Sequence, residues 1–138
     1  MYIRLATTAD ISYITHALAR KAIDYIKPST VREDIIANRL YVIIENEKPI
    51  AQCALVAETA YNYTAMKRMV IYRKENCGRG LADMLIKHFS SMNLAIGATP
   101  WTENERIKHI LRKHGFEYQY TFYELLIFGF VLFRPLED

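Results

Sequence analysis

Val70-Ile71-Tyr72-Arg73-Lys74-Glu75-Asn76-Cys77-Gly78-Arg79-Gly80-Leu81 is the most informative stretch of this chain. It leaves an apolar strand, passes two glycines separated by one residue, and enters a segment where Leu81, Leu85, Ile86 and Phe89 recur at helical spacing. A strand therefore runs through a glycine turn into a helix. Glycine takes positive φ without steric cost and lets the backbone approach a ligand closely. The first amides of the helix have no partner within it, and the helix dipole adds ~0.3–1 kcal/mol in favour of an anion there. The segment is no P-loop, because no Gly-Lys-Ser/Thr follows. It is no dinucleotide fingerprint either, because the third glycine and the later acidic residue are missing. By itself it is either a diphosphate cradle or a tight strand-to-helix connection.

On the amino-terminal side, residues 65–72 read as the strand that feeds this turn, and 61–63 as a loop before it. Leu40–Glu45 and residues 50–58 read as a hairpin around the polar turn 46–49. Tyr2–Leu5 alternates as a first strand. Thr7 or Thr8 offers a hydroxyl at a helix start, and Ile11, Ile14, Leu18, Ala22 and Ile26 follow at helical spacing, with Pro28 after the end. A shorter helix runs from Ser29-Thr30 through Ile35-Ile36. On the carboxy-terminal side, 94–98 is a short strand and 103–114 a helix with Ile107, Ile110 and Leu111 on one side, ended by Gly115. Residues 116–123 and 125–133 close the chain as β. This order predicts an α/β protein with a mixed, mostly antiparallel central sheet and flanking helices, in one domain spanning residues 1–138.

Composition narrows the partners. With 138 residues and 51 % apolar content, one core can be buried without staples. A net charge of +3, from 18 Lys and Arg against 15 Asp and Glu, is too weak a bias for a specific nucleic-acid partner. Cys53 and Cys77 lack partners at metal-ligand spacing, and the four histidines form no metal pattern, so no metal is expected. Two cysteines and a start without a cleavable apolar core suggest a reducing, cytoplasmic setting. The most apolar run, 125–133, is half a membrane span of about 18 residues and reads as a buried strand, or as an edge that pairs with a second copy in a homodimer.

Two spaced motifs carry a family resemblance. Val70 to Gly80 is similar to the GNAT acyltransferase pattern Val-x-Pro followed by Arg/Gln-x-x-Gly-x-Gly/Ala, with Tyr72 at the proline and Glu75 at the Arg/Gln position. Asn104 to Phe116 resembles the same superfamily's later helix, which starts with Asn and ends in Gly-Phe. The opening Ile3-Arg4-Leu5-Ala6-Thr7-Thr8-Ala9-Asp10 looks like its first strand and helix start, so the likeness covers nearly the whole chain. The resemblance implies a GNAT-like sheet whose two central parallel strands splay apart around acetyl-CoA. Main-chain groups of Met69, Val70 and Ile71 would then meet the pantetheine arm. The amides of Glu75, Asn76, Cys77, Gly78, Arg79, Gly80 and Leu81 would hold the pyrophosphate, and Asn104 would bond the arm. A carboxylate at Glu75 opposes a diphosphate unless it points away, and Arg73 and Arg79 offer compensation.

The implied activity is transfer of an acetyl group to a primary amine, on a small molecule or a protein, by direct attack. Such transfer needs a donor to the thioester carbonyl, a base for the amine and an acid for the thiolate. An amide near Val70 suits the first need. The resemblance would put a tyrosine acid at Leu111, which cannot donate a proton; Tyr118, Tyr120 and Tyr123 on the next strand are the substitutes. Glu58, near the end of the third strand, is the candidate base. Trp101 is either an acceptor-pocket wall or a core aromatic. Cys77 reads as a small structural residue, because direct transfer needs no covalent enzyme. The alternative is a GNAT-fold protein that holds acyl-CoA without turnover.

Overall fold

The computed structural model describes residues 1–23, 25–58, 63–92, 94–98, 105–121 and 130–134. The chain divides into two compact units: Met1–Leu55 with Arg68–Leu81, and Val56–Lys67 with Ala82–Asp138.

The first unit begins with β1 (Tyr2–Leu5) and a 3-10 turn at Thr8–Asp10, which leads into α1 (Ile11–Arg20). The Asp10 carboxylate accepts the Thr7 N–H at 2.8 Å and the Arg4 guanidinium at 2.7 Å, which ties the helix entry to β1. α1 stops at Arg20, earlier than its apolar spacing predicts. Ala22 adopts φ 59°. Its N–H reaches Ala19 O at 3.0 Å, and Ile23 N–H reaches Leu18 O at 3.0 Å. This left-handed cap turns the chain away, so Ala22 and Ile26 continue the apolar spacing without continuing the helix. Pro28 does not trail α1; it opens α2 (Pro28–Ile36), where its missing N–H leaves no helical bond unmade.

β2 (Leu40–Glu45) pairs antiparallel with β1, from Tyr2↔Ile44 to Leu5↔Tyr41. It also pairs antiparallel with β3 (Lys48–Glu58), through Leu40↔Ala54 to Glu45↔Lys48. The turn between them is tighter than the four residues predicted: Asn46 and Glu47, both at positive φ, make a two-residue hairpin connection. Val42, Ile43 and Ile44 are all buried, which requires cover on both faces of β2. Ile14, Leu18, Val31 and Ile35 from the two helices are buried as well. The strand order is β1-β2-β3-β4, and the unit's second segment enters within β4 (Tyr63–Ile71) at Arg68.

The second unit takes the rest of β3 and β4, then α3 (Leu81–Ser90) from Ala82, β5 (Ile96–Ala98), α4 (Glu105–Lys113), β6 (Glu117–Thr121) and β7 (Phe130–Arg134). Its strand order is β4-β5-β7-β6. β4 and β5 are parallel, through Thr64↔Ile96 and Ala65↔Gly97 among the described residues. The β5–β7 and β6–β7 pairs are antiparallel. Leu85, Ile86, Phe89, Ile96, Leu111 and Phe116 are each buried. Gly115, at φ 87°, ends α4 as predicted, with Phe116 N–H returning to Leu111 O at 3.0 Å. Tyr63 belongs to β4 rather than to the preceding loop, and of the predicted strand 94–98 only Ile96–Ala98 forms. Residues 125–129 of the last predicted strand lie outside the described residues.

Candidate functional site

Past β4 the chain makes one 3-10 turn over Lys74–Asn76. Asn76 N–H donates to Arg73 O at 3.0 Å and Cys77 N–H to Lys74 O at 3.0 Å. Gly78 and Gly80 then take φ 86° and 78° before α3 begins at Leu81. A side-chain carbon at either glycine would meet nothing within 4 Å, so backbone conformation and not crowding selects glycine here. An L-residue would cost ~1–2 kcal/mol in that geometry. Among the described residues, Arg79 N–H is used internally, on Asn76 O at 3.4 Å, while the amides of Gly78, Gly80 and Leu81 have no backbone acceptor. Amides without a backbone acceptor at the start of a helix, beside two glycines in open space, fit an oxyanion such as a diphosphate.

The charges around this turn differ from expectation. Arg79 does not stand ready for an anion. Its guanidinium grips Glu45, at the end of β2, through bonds of 3.0 and 2.6 Å, and also donates to Asn76 Oδ1 at 2.8 Å. The bond from Arg79 is the main reason the Glu45 carboxyl lies below its ordinary range. Glu75 is 67 % exposed and 3.6 Å from Arg73, so its carboxylate faces solvent and an arginine. Beside the turn lies a cavity of 540 Å³ lined by Arg20, Lys21, Arg73 and Lys74, with Tyr72, Glu75 and Cys77. Four cations against one carboxylate make it a setting for an anion. Nothing in the sequence motifs marks Arg20 and Lys21 for this cavity. Their local signal is basic charge at a helix end, and Lys21 is brought to the end of β4 by donating to Ile71 O, fifty residues away. Cys77 is exposed, with Sγ 3.8 Å from Arg73 O.

Upstream, Val70 is buried while Met69 and Ile71 are partly exposed. Arg68 takes φ 55° inside β4. Its carbonyl accepts from the Gln52 side chain at 3.0 Å, and its guanidinium meets Asp34 through Nε and Nη2, both at 2.7 Å. Asp34 is 1 % exposed and also receives Arg39 Nε at 2.7 Å. Tyr72 OH donates to Gln52 Oε1 at 2.8 Å. Burial pushes the Tyr72 phenol well above its ordinary pKa, so it stays a donor.

The remaining predicted residues belong to the second unit. Glu58 is the last residue of β3. Tyr118 and Tyr120 lie on β6, paired with Leu132 and Val131 across a register shift. Leu111 is fully buried on α4, as an apolar side chain at this position would be. His109 is exposed, whereas His114 Nε2 sits 2.8 Å from Asp83. Trp101, Asn104 and Tyr123 lie outside the described residues. Among the described residues, no group of His, Cys, Asp and Glu is arranged to hold a metal ion, and no helix is long and apolar enough to cross a membrane.

No protein-family model matches the sequence, and no curated protein matches it. Solved structures do match. A GNAT-family acetyltransferase from Streptococcus agalactiae 2603 has a TM-score of 0.78 at 20 % identity, covering 99 % of this chain and 96 % of that one. Ard1 from Thermoplasma volcanium has a TM-score of 0.76 at 12 % identity, covering 99 % and 98 %. An aminoglycoside acetyltransferase in complex with coenzyme A and kanamycin has a TM-score of 0.70 at 19 % identity, covering 96 % and 93 %. At such identities the likeness establishes the fold.

Proposed function

We propose that this chain, which has the GNAT fold, is an acetyl-CoA-dependent N-acetyltransferase of one domain over residues 1–138 that acetylates a primary amine. One observation carries the reading: Gly78 and Gly80 at positive φ open α3 with amides that have no backbone acceptor among the described residues. The basic cavity of 540 Å³ beside them supports it.

In this reading the amides of Gly78, Gly80 and Leu81 bind the pyrophosphate, and those of Glu75, Asn76, Cys77 and Arg79 shape the turn around it. Arg73 and Lys74 add long-range attraction. Met69, Val70 and Ile71 offer main-chain groups to the pantetheine arm, with Asn104 as a further contact. Acetyl-CoA supplies the activated acyl thioester. An amide near Val70 donates to the carbonyl oxygen, where negative charge grows during attack. Glu58 takes the amine proton, and Tyr118 or Tyr120 returns a proton to the thiolate. Holding both reactants in line supplies much of the acceleration. The acceptor is a small-molecule amine or a protein amino group. The structural relative that holds kanamycin favours the small-molecule choice.

A second reading has one observation in its favour. Leu111 stands where the resembled family carries its tyrosine acid, and it is fully buried. The protein would then hold acyl-CoA without turnover. Calorimetry with coenzyme A, followed by a thiol-release assay with acetyl-CoA over polyamines, aminoglycosides and peptides, tests both. Saturable binding with release on an amine supports catalysis. Binding with no release on any amine of the panel supports the second reading. Absence of binding refutes both.

A further inference from the structure

Five described non-glycine residues have positive φ, and four of them have a local use. Ala22 and Asn38 close helices, and Asn46 and Glu47 form a hairpin turn. Arg68 has no such use, because it lies inside β4. A left-handed residue in a strand is a strained state that persists only where its surroundings over-determine it. Here they do. Asp34, from α2, clasps the guanidinium with two bonds of 2.7 Å, and Arg39 completes its coordination. Gln52, from β3, holds the carbonyl of the same residue at 3.0 Å. Tyr72 OH occupies Gln52 Oε1 at 2.8 Å, so the Gln52 amide cannot flip and withdraw its N–H donor. Tyr72 and Gln52 are both buried, so water does not substitute for either bond.

Such a residue interrupts the ladder and turns the peptides after it out of strand register. Those peptides carry the N–H groups of Met69 and Val70. We propose that Tyr72, Gln52 and Asp34 are positioning residues that aim these amides at the acyl carbonyl by holding Arg68 left-handed. The proposal rests on the acyltransferase reading and deepens it. It also accounts for Tyr72 at the position where the resembled family has proline. A proline ring limits the strand end by itself, whereas here a buried hydroxyl secures the bend through Gln52.

The signature is selectivity between two ligands that differ by the acetyl group. Wild-type protein is titrated with coenzyme A and with acetyl-CoA, and the titrations are repeated with Tyr72→Phe and Gln52→Met. Both substitutions keep side-chain volume, and thermal unfolding confirms that each variant is folded. Acetyl-CoA is expected to bind wild type more tightly than coenzyme A. Each variant is expected to lose about threefold to tenfold of that preference, the worth of one hydrogen bond. Affinity for coenzyme A, whose arm also meets the Met69 and Val70 peptides but which lacks the acyl carbonyl, is expected to fall less than affinity for acetyl-CoA, because the pyrophosphate contacts at Gly78 and Gly80 do not change. An unchanged preference in the folded variants overturns the proposal, as does a wild type that binds both ligands equally. Failure of wild type to bind either ligand refutes the acyl-CoA reading instead, and the proposal with it.

Discussion

Gly80 is legible as a single letter, because positive φ at a helix start is a local demand that glycine meets alone. Gly80→Ala is expected to weaken coenzyme A binding about tenfold, the equivalent of ~1–2 kcal/mol of strain. Calorimetry measures it. Arg79 is the opposite case: its sequence position suggested an anion partner, but Glu45 already holds it. Glu45→Gln frees that guanidinium beside the cradle. It is expected to tighten coenzyme A binding about threefold and to steepen its salt dependence, read from titrations at two ionic strengths. Glu75→Gln is expected to change affinity by less than about twofold, because its carboxylate is exposed. Asp34 is costly to remove, because it is buried between two arginines. Asp34→Ala would leave Arg39 and Arg68 without a counter-charge and is expected to destabilise the fold by ~3–5 kcal/mol in denaturant unfolding.

Among the elements, those with local punctuation have bounds that the sequence marks, and those capped by ordinary residues do not. α4 ends at its glycine, as expected. The apolar spacing predicts a longer α1 than forms, because Ala22 carries no sequence mark of a left-handed cap and Ile26 keeps the apolar period going. Pro28, which the spacing places after the end of one helix, begins the next, since proline suits both positions. The entry to α1 was read from Thr7 or Thr8, yet its anchoring depends on Arg4 and Asp10 meeting. Arg4 is the first cause of the Asp10 carboxyl lying below its ordinary value of 3.8, with the Thr7 N–H assisting and burial opposing. A lowered folded-state value means the stabilisation is fully present above the unfolded value and is lost as pH falls through the folded one. Asp10→Asn is therefore expected to cost ~1 kcal/mol at neutral pH and to flatten the acid limb of stability below pH about 4. Thermal unfolding across pH 2 to 7 shows both effects.

For the whole molecule, a ligand that binds only the folded chain must raise its melting temperature. At about 100 Kd of coenzyme A, linkage adds ~2.7 kcal/mol, which for a chain of this length raises Tm by roughly 9 °C. A scan showing no shift at that saturation would mean that the ligand also binds the unfolded chain. The order of strands and helices and the strand–glycine–helix cradle were determined by the sequence itself. Apolar periodicity, glycine at positive φ and the free amides of a helix start are all local properties. Tertiary structure alone decided which charges are spent and which are available. Arg79 meets Glu45, and Arg68 meets Asp34, each across 34 residues of sequence. The left-handed turn at Arg68 was likewise invisible, because nothing in a strand asks for it. It exists where Asp34 and Gln52, brought together by folding, bind the guanidinium and the carbonyl of the same residue.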